Sequence, residues 1–211
     1  MPYTRLQRHT ALKRKGALQR KANNRNNAQR AIILRTTHYK KFCDVCFEFY
    51  IRWRDNWTDG IDGRKFAQGD YKNYHACHFI PRAALATRYN PMNCHGQSSG
   101  HNWAASPNAH AKVRFCFMRQ YRDFMERTYG ADKVKELEQL GQQTCNRTPM
   151  DWQVLALELY EQAQNINAQA LSKRLASVYS TGQEQGILDK ILNEMKGGTN
   201  ATGQNQIQEM A

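Results

Sequence analysis

The chain has 211 residues and a formal net charge of +13, and this charge is unevenly distributed. Residues 1–41 contain 12 Lys and Arg residues and no Asp or Glu, whereas residues 42–211 contain 19 basic and 18 acidic residues. No apolar run approaches the roughly 20 residues that a membrane-spanning helix needs, and the N-terminus lacks the apolar core of a secretory signal. We therefore expect a cytoplasmic protein whose basic segment binds a polyanion, such as nucleic acid or an acidic membrane surface.

Residues 1–26 mix Lys, Arg, Gln and Asn with few large apolar side chains. Such a segment buries too little apolar surface to offset the entropy of ordering, so we predict a flexible basic arm. We expect this arm to bind nucleic acid through its basic side chains. The candidate nucleic-acid-binding residues are Arg14, Lys15, Arg20, Lys21 and Arg25. A short helix is predicted next, over residues 27–35.

Aromatic and β-branched residues are dense in two segments, residues 41–53 and residues 65–79, and a turn-rich stretch at 58–63 separates them. This pattern predicts two β-strands joined by a loop. From Pro81 to Gly100 the chain is rich in Asn, Gly and Ser, which predicts a loop without regular structure.

The remaining segments are predicted to be helical. Apolar residues recur every three or four positions between residues 108 and 127, and Gly130 is expected to end this first helix. A short second helix is predicted over residues 134–140. Thr148 and Asp151 form a capping-box pattern at the start of a third helix, which extends to about residue 175. A small amphipathic patch at 187–192 follows, and residues 181–211 are expected to be mostly disordered.

Five of the seven histidines and four of the six cysteines lie between residues 43 and 110. In a reducing cytoplasm, close cysteine pairs indicate metal binding rather than disulfides. Cys43 and Cys46 form a C-x-x-C motif, which can present two thiolates to one zinc ion. The alternatives are a redox pair or two buried thiols. The second half of a zinc site would come from Cys94, His95 and His101.

Several motifs follow the C-x-x-C pair in a fixed order. They are Ala76-Cys77-His78-Phe79, then Arg88-Tyr89-Asn90, Asn93, His95-Gly96-Gln97-Ser98 and His101-Asn102, and finally Ser106 and Asn108. In this order and spacing the chain resembles the NinG (Rap) family of lambdoid phage recombination endonucleases, over roughly residues 43–140. The spacing from Asn90 through Asn108 matches that family without a gap.

This resemblance implies an HNH, or ββα-metal, nuclease core of two strands and one helix. It places the general base at His78, the loop asparagine that fixes this base at Asn93, and the ligand of the catalytic cation at Asn102. His75 is a candidate for an additional metal ligand. Histidine suits the task because its unperturbed pKa lies near neutrality, and one divalent cation such as Mg²⁺ can stabilise the charge that builds on the phosphoryl oxygens.

The sequence departs from the family pattern where a structural zinc ion would be held. Ser98 and His101 stand in place of the family's second C-x-x-C pair, and Cys77 replaces a glycine. The predicted zinc ligands are Cys43, Cys46, His101 and Cys94. The alternative is that this chain has lost tight zinc binding and keeps its fold by packing.

These features together predict an α+β protein with a small, zinc-stabilised ββα-metal core followed by a helical C-terminal part. The expected organisation is a basic arm at 1–26, an HNH-like nuclease core at 27–145, a helix at 146–180 packed on the core, and a tail at 181–211. The expected activity is that of a divalent-metal-dependent, structure-selective DNA endonuclease that cuts branched recombination intermediates, such as Holliday junctions and D-loops, in the cytoplasm of a phage host.

The expected partners are therefore branched DNA, a second copy of the chain in a symmetric dimer, and recombination proteins, but no membrane. Two other functions are compatible with the sequence. One is a catalytically silent, zinc-stabilised DNA-binding module, and the other is an RNA-binding protein whose arm docks on folded RNA.

Overall fold

The computed structural model of the chain describes the backbone of residues 5–205 and the side chains of residues 19–21 and 23–196. Helices form most of this part, and two strands form a small sheet. In chain order the elements are α1 (Arg5–Arg54), β1 (Tyr74–His78), a short 3-10 helix (Pro91–Asn93), β2 (Cys94–Ser98), α2 (Ser99–Ala105), α3 (Ala111–Tyr129), α4 (Ala131–Gly141), α5 (Pro149–Val178) and α6 (Gly182–Asn205).

The second half of α1 is the central element of the fold. The prediction of a β-strand over residues 41–53 is wrong, because the buried side chains there recur at helical spacings. The buried set in this half of α1 includes Tyr39, Phe42, Cys43, Cys46, Phe47 and Phe49. These side chains pack against buried residues of α5 and α6. Burial of a helical face thus outweighs the preference of aromatic residues for strands.

The same helix continues toward the N-terminus through the basic segment. Residues 5–26 are helical, in contrast to the predicted flexible arm at 1–26, and the short helix predicted over 27–35 is part of α1. Lys, Arg, Gln and Ala favour helices, and a helix that is already anchored by packing lengthens without a new nucleation step. The described side chains from residue 19 to residue 35 are all exposed, so this part of α1 adds nothing to the core.

β1 and β2 form an antiparallel pair in which Tyr74 lies opposite Ser98 and His78 lies opposite Cys94. β1 falls within the second predicted strand, but β2 lies in the segment from Pro81 to Gly100 that was predicted to be loop, and that prediction is wrong there. Every residue of β2 is buried. Its strand conformation therefore comes from pairing with β1 and from burial, and its own composition gives little sign of it.

The two faces of this hairpin contact different helices, because side chains alternate along a strand. Ala76 and Cys94 face the apolar cluster formed by α1, α5 and α6. Cys77 belongs to a second cluster with α2, α3 and α4, and His95 faces α3, where it bonds Tyr121. An isolated two-stranded hairpin is marginally stable in water, so packing on both faces is what holds this sheet.

The predicted central helices are confirmed as α3 and α4. They meet at Gly130, which has a positive φ of 88° and follows the last turn of α3. The buried residues of α3 are Phe117, Tyr121 and Met125, and they pack with residues of α2 and α4. Cys116, by contrast, is exposed and lies on the outer side of this helix.

The predicted third helix is confirmed as α5, and its N-terminus carries the predicted capping box. The Thr148 hydroxyl accepts a hydrogen bond from the Asp151 N–H, and the Asp151 carboxylate accepts one from the Thr148 N–H. The helix is interrupted at Asn167, where the backbone is extended. The Asn167 side chain accepts a hydrogen bond from the Ala170 N–H and so caps the second half of α5.

The prediction of a disordered tail over 181–211 is wrong for residues 182–196. Leu188, Ile191 and Met195 of α6 are buried in the cluster formed with α1 and α5. Glu194 also accepts hydrogen bonds from Arg35 and Tyr39 of α1. The amphipathic patch that the sequence indicates is therefore the inner face of a packed helix, and residues 206–211 lie outside the described part of the chain.

Over the described residues the protein is mostly helical with one small antiparallel sheet, which agrees with the predicted α+β class. β1, β2 and α2 follow one another along the chain in the order that a ββα unit requires. None of the described helices is both long enough and apolar enough to cross a membrane.

Gly96 of β2 offers a sharp test of the hairpin. A Cβ atom at this position would overlap the ring and hydroxyl of Tyr74, which is fully buried and donates a hydrogen bond to the Thr58 carbonyl. We expect Gly96→Ala to lower the free energy of unfolding by about 1–3 kcal/mol, because overpacking a core displaces side chains or backbone. Urea denaturation at neutral pH measures this change.

Gly100→Ala is the matched control. Its Cβ would meet open space within α2, so this substitution should leave stability unchanged or raise it by up to about 1 kcal/mol. Equal stabilities for the two variants would contradict the close approach of β2 to Tyr74.

Candidate functional site

A groove of about 520 Å³ runs beside the unpaired edge of β1. The second half of α1 forms one wall, and α2 with the start of α3 forms the other. The polar side chains that line it are Glu48, Arg52, Tyr71, His75, His78, Arg82, Asn102, Ser106 and Arg114. Two of the three predicted catalytic residues, His78 and Asn102, are therefore at this groove.

The groove is positively charged. Arg52, Arg82 and Arg114 line it, and Glu48 is its single acidic side chain. Glu48 is already engaged, because Arg52 and Arg82 both donate hydrogen bonds to its carboxylate. Arg52 also donates to the carbonyl of Tyr74, which fixes its guanidinium beside β1. The excess positive charge suits an anionic ligand such as a phosphodiester.

His75 and Asn102 meet at the groove. The Asn102 Nδ2 lies 3.1 Å from His75 Nδ1, and His75 Nε2 lies 3.1 Å from the carbonyl oxygen of Lys72. These contacts define the tautomer: Nε2–H donates to Lys72, and Nδ1 accepts from the Asn102 amide. The Oδ1 atom of Asn102 has no hydrogen-bond partner among the described residues. It is therefore available to a cation or to a ligand in the groove.

His78 points away from that pair, toward α1. Its Nε2–H donates a 2.9 Å hydrogen bond to the carbonyl of Arg88, and its Nδ1 lies 3.6 Å from the Sγ of Cys94. The ring also packs against Phe47, with 6.0 Å between the ring centroids. Burial lowers the pKa of His78 to about 4, so the imidazole is neutral at pH 7 and its lone pair is on Nδ1.

Asn93 holds the loop that carries the Arg88 carbonyl. It is fully buried, and its side chain accepts a hydrogen bond from the Ile80 N–H and donates to the carbonyls of Ile80 and Thr87. Thr87 directly precedes Arg88, so the amide of Asn93 fixes the backbone that orients His78. Asn93 makes no hydrogen bond to His78 itself, so among the described residues it acts on this histidine only through the loop.

A second anchor of this loop was missed by sequence reasoning. Asp44 of α1 accepts two hydrogen bonds from the Arg88 guanidinium, at 2.9 and 2.7 Å, and one from the Tyr89 hydroxyl. Arg88 also donates to the carbonyl of Arg82. Asp44 lies 44 residues before Arg88 and between the two cysteines that drew attention to this segment, so its own sequence context gave no sign of this pairing.

The structure does not bring the predicted zinc ligands together. Cys43 and Cys46 lie on the inner face of α1 in an apolar cluster, and burial raises the pKa of both thiols. Cys94 is also buried, with a raised thiol pKa, and lies beside His78. His101 lies on the other side of the hairpin, where its ring stacks on Phe117. Among the described residues, Cys43, Cys46, Cys94 and His101 form no group close enough to hold one ion, so they do not fit the predicted zinc site.

Among the described residues, one group of three His, Cys, Asp or Glu side chains is close enough to hold a metal ion: Asp59, Asp62 and His101. Asp59 already has structural partners, since it accepts hydrogen bonds from the backbone N–H groups of Ser98 and Ile61 and from His101 Nδ1. Burial alone would raise the pKa of Asp59, but these donors lower it overall. Asp59 therefore connects the turn at residues 58–63 to Ser98 of β2 and to His101 of α2, which accounts for the closeness of these side chains.

His95, the other candidate considered for zinc, is a buried neutral side chain. Its Nδ1 lies 3.1 Å from the Tyr121 hydroxyl and its Nε2 lies 2.8 Å from the Tyr129 hydroxyl. The Tyr121 hydroxyl in turn donates to the carbonyl of Cys77. Burial lowers the pKa of His95 to about 4. This network joins β2 to α3 and leaves His95 no role at the groove.

The predicted nucleic-acid-binding residues lie at the other end of α1. The side chains of Arg20, Lys21 and Arg25 are exposed, and those of Arg14 and Lys15 lie outside the described side chains. The described stretch from residue 19 to residue 35 contains no acidic residue, so its positive charge has no internal counterion on the same segment. It is accessible to a polyanion along its length.

No protein-family model, curated protein or solved structure matches this chain.

The low pKa of His95 predicts a loss of stability in acid. The unfolded state, with an ordinary histidine pKa of about 6.5, binds a proton that the folded state rejects until about pH 4. Between these values the free energy of unfolding should therefore fall as the pH falls, by about 1.4 kcal/mol per pH unit for this histidine. Urea denaturation from pH 7 to pH 4.5 measures the slope.

His95→Gln isolates this contribution, because glutamine keeps a polar side chain near Tyr121 and Tyr129 but does not titrate. We expect a shallower pH dependence for the variant than for the wild type. Identical slopes would show that folding does not lower the pKa of His95.

Proposed function

We propose that the protein is a divalent-metal-dependent DNA endonuclease of the HNH, or ββα-metal, type, related to the NinG (Rap) family. The observation that supports this most is the arrangement around His78. Its imidazole is held by a loop carbonyl, that loop is fixed by buried Asn93, and the groove beside it is lined by arginines and by Asn102. The motif order and spacing described above support the family assignment.

In the proposed reaction His78 is the general base. With Nε2–H donated to Arg88, the basic atom is Nδ1, which takes the proton from a water molecule as the water oxygen bonds to phosphorus. The bond from phosphorus to the leaving oxygen breaks, and that oxygen takes a proton from solvent. In this structure Nδ1 receives the weak S–H donor of Cys94, and a water molecule entering from the groove would replace this contact. A phosphate bound in the groove would raise the low pKa of His78, because a nearby negative charge favours the protonated imidazole.

The residues at the groove fit one divalent cation such as Mg²⁺. The free amide oxygen of Asn102 is a hard ligand of the kind that Mg²⁺ takes, and His75 lies next to it. Mg²⁺ keeps several waters and shares substrate phosphates, so few protein ligands suffice. When bound, the cation supplies stabilisation of the negative charge on the phosphoryl and leaving oxygens.

The arginines place the DNA strand. Arg52 is fixed by the Tyr74 carbonyl and by Glu48, and the more exposed Arg82 also contacts Glu48, so both place positive charge at the groove. The guanidinium of Arg114 has no hydrogen bond or ion pair to any other described residue and is available to the substrate. We propose branched recombination intermediates as the substrates on the strength of the family resemblance, with a dimer, recombination proteins as partners and the cytoplasm of a phage host as the setting.

A labelled four-way junction tests the activity. Incubated with Mg²⁺, the wild type should cut the junction, and His78→Ala should lower the single-turnover rate by at least about 100-fold, since it removes the base. Asn102→Ala should lower the rate and raise the Mg²⁺ concentration needed for half-maximal cutting. His38→Ala, in α1 and not lining the groove, is the control and should cut as the wild type does.

A wild type that binds the junction as His78→Ala does, with no cutting by either, would contradict the endonuclease and favour a silent DNA-binding module. The burial of His78 and its contact with Cys94 are the features that would explain such an outcome. Folding of each variant is checked by circular dichroism and thermal unfolding.

Removal of residues 1–26 separates affinity from cutting. This segment carries eight Lys and Arg residues, and its described side chains are exposed, so its loss should leave the core folded. We expect weaker junction binding and a less steep dependence of log Kd on log salt, because fewer phosphate counterions are released. At saturating protein, Mg²⁺-dependent cutting should persist. Complete loss of cutting would show that the segment belongs to the catalytic site. In a separate competition experiment, tighter binding of the full chain to folded RNA than to junction DNA would favour an RNA-binding role.

A further inference from the structure

Two large aromatic side chains lie exposed on α2 and α3, the helices that form one wall of the groove. Trp103 of α2 is 53% exposed and directly follows Asn102, and Phe115 of α3 is 70% exposed and directly follows Arg114. All eight phenylalanines and all four tryptophans are in the described part of the chain, and these two are the exposed members of each set. The exposure is thus concentrated next to the groove-lining residues.

Neither ring is explained by packing. The buried face of α3 carries Phe117, Tyr121 and Met125, and Phe115 is about 160° around the helix axis from Phe117. Neither Trp103 nor Phe115 pairs with another aromatic ring or with a cation among the described residues. Large apolar side chains left in water beside a binding groove indicate a contact surface.

The charge around the rings identifies the kind of partner. From Ala111 to Arg122, α3 carries four basic residues and no acidic one. Of these, Lys112, Arg114 and Arg119 form no salt bridge with any described residue. A surface that combines flat apolar rings with unpaired positive charge matches a ligand that has both aromatic faces and phosphates, which is a nucleic acid with exposed bases.

We propose that Trp103 and Phe115 form a stacking surface for unpaired bases of a DNA strand whose phosphates lie in the groove. The inference rests on the proposed function, because it takes the groove as the place where the DNA strand binds. Bases in a continuous duplex are stacked on one another and offer no free face, whereas unpaired bases at a branch point or flap do. The surface therefore directs the groove toward DNA with unpaired bases.

Trp103 provides a direct probe of this contact. Trp57 and Trp152 are buried and Trp53 is partly buried, so quenching by acrylamide reports mainly on Trp103. In buffer with EDTA, which prevents cutting, oligo(dT) of 15 nucleotides should quench Trp103 fluorescence and protect it from acrylamide. A 15-base-pair duplex should do so weakly. Trp103→Phe should lose the signal and keep the affinity for oligo(dT), measured by fluorescence anisotropy, within about twofold, because a ring is retained.

Alanine variants measure how much each ring contributes to the affinity for unpaired bases. Phe115→Ala and Trp103→Ala should each weaken oligo(dT) binding by about 5-fold to 100-fold, and duplex binding by less than about twofold. Arg114→Gln should weaken both ligands equally, since it removes a phosphate contact. Val154→Ala is the matched control, because Val154 is an exposed apolar residue of α5 outside the groove and its loss should change neither affinity.

Equal losses for oligo(dT) and duplex in the Phe115 and Trp103 variants, or no loss in either, would overturn the stacking surface. Oligo(U) bound more than tenfold tighter than oligo(dT) would overturn the assignment to DNA. These binding results can be read separately from cleavage. If the alanine variants show no selective loss of oligo(dT) binding while His78-dependent cleavage is intact, only the stacking surface is contradicted. If oligo(dT) binding is selective but no cleavage occurs, only the endonuclease activity is contradicted.

Discussion

The hairpin of β1 and β2 depends on the end of α1 for its stability. Two strands of five residues each cannot hold themselves together in water, so their backbone groups need partners outside the sheet. Arg52 donates to the carbonyl of Tyr74 in β1, and Arg54 donates to the carbonyl of Cys94 in β2. Asp55, which immediately follows α1, accepts from the N–H of Gly96. One helix end thus binds both strands through charged hydrogen bonds.

This arrangement leaves the outer edge of β1 without a partner strand, and the groove that forms the candidate site lies along this edge. With α1 on one face of the hairpin and α2 and α3 on the other, neighbouring histidines of one strand meet different surroundings. His75 meets Asn102 on the α2 side, and His78 meets Arg88 and Cys94 on the α1 side. The groove at the strand edge is where the two faces come within reach of one ligand. The loop between the strands is fixed from both sides, by Asn93 and by Asp44, so the carbonyl that orients His78 has little freedom.

The sequence was sufficient to predict those structural features that depend on interactions between residues close together along the chain. The capping box at Thr148, the break at Gly130 and the periodicity of α3 all depend on residues within a few positions of one another, and the structure confirms them. The strand predicted over residues 41–53 failed because aromatic composition was weighed above helical spacing. The C-x-x-C spacing is compatible both with two thiols on one face of a helix and with two thiols around a metal. In this chain the thiols lie on a helix face because that face packs against the apolar surfaces of α5 and α6. Pairings such as Asp44 with Arg88 depend on tertiary contacts that no local pattern encodes.

The continuity of α1 changes what the basic segment can do. A flexible arm would search a volume around the core, whereas a helix that begins at Arg5 and ends at Arg54 places its charges at fixed distances from the hairpin. At 1.5 Å per residue, Arg20 lies about 42 Å along the helix from Glu48 at the groove, which is the length of about 12 base pairs. DNA held along the basic half of α1 would therefore reach the groove roughly one duplex turn away. Under the proposed function, the helix that stabilises the hairpin is also a spacer between the basic segment and the groove.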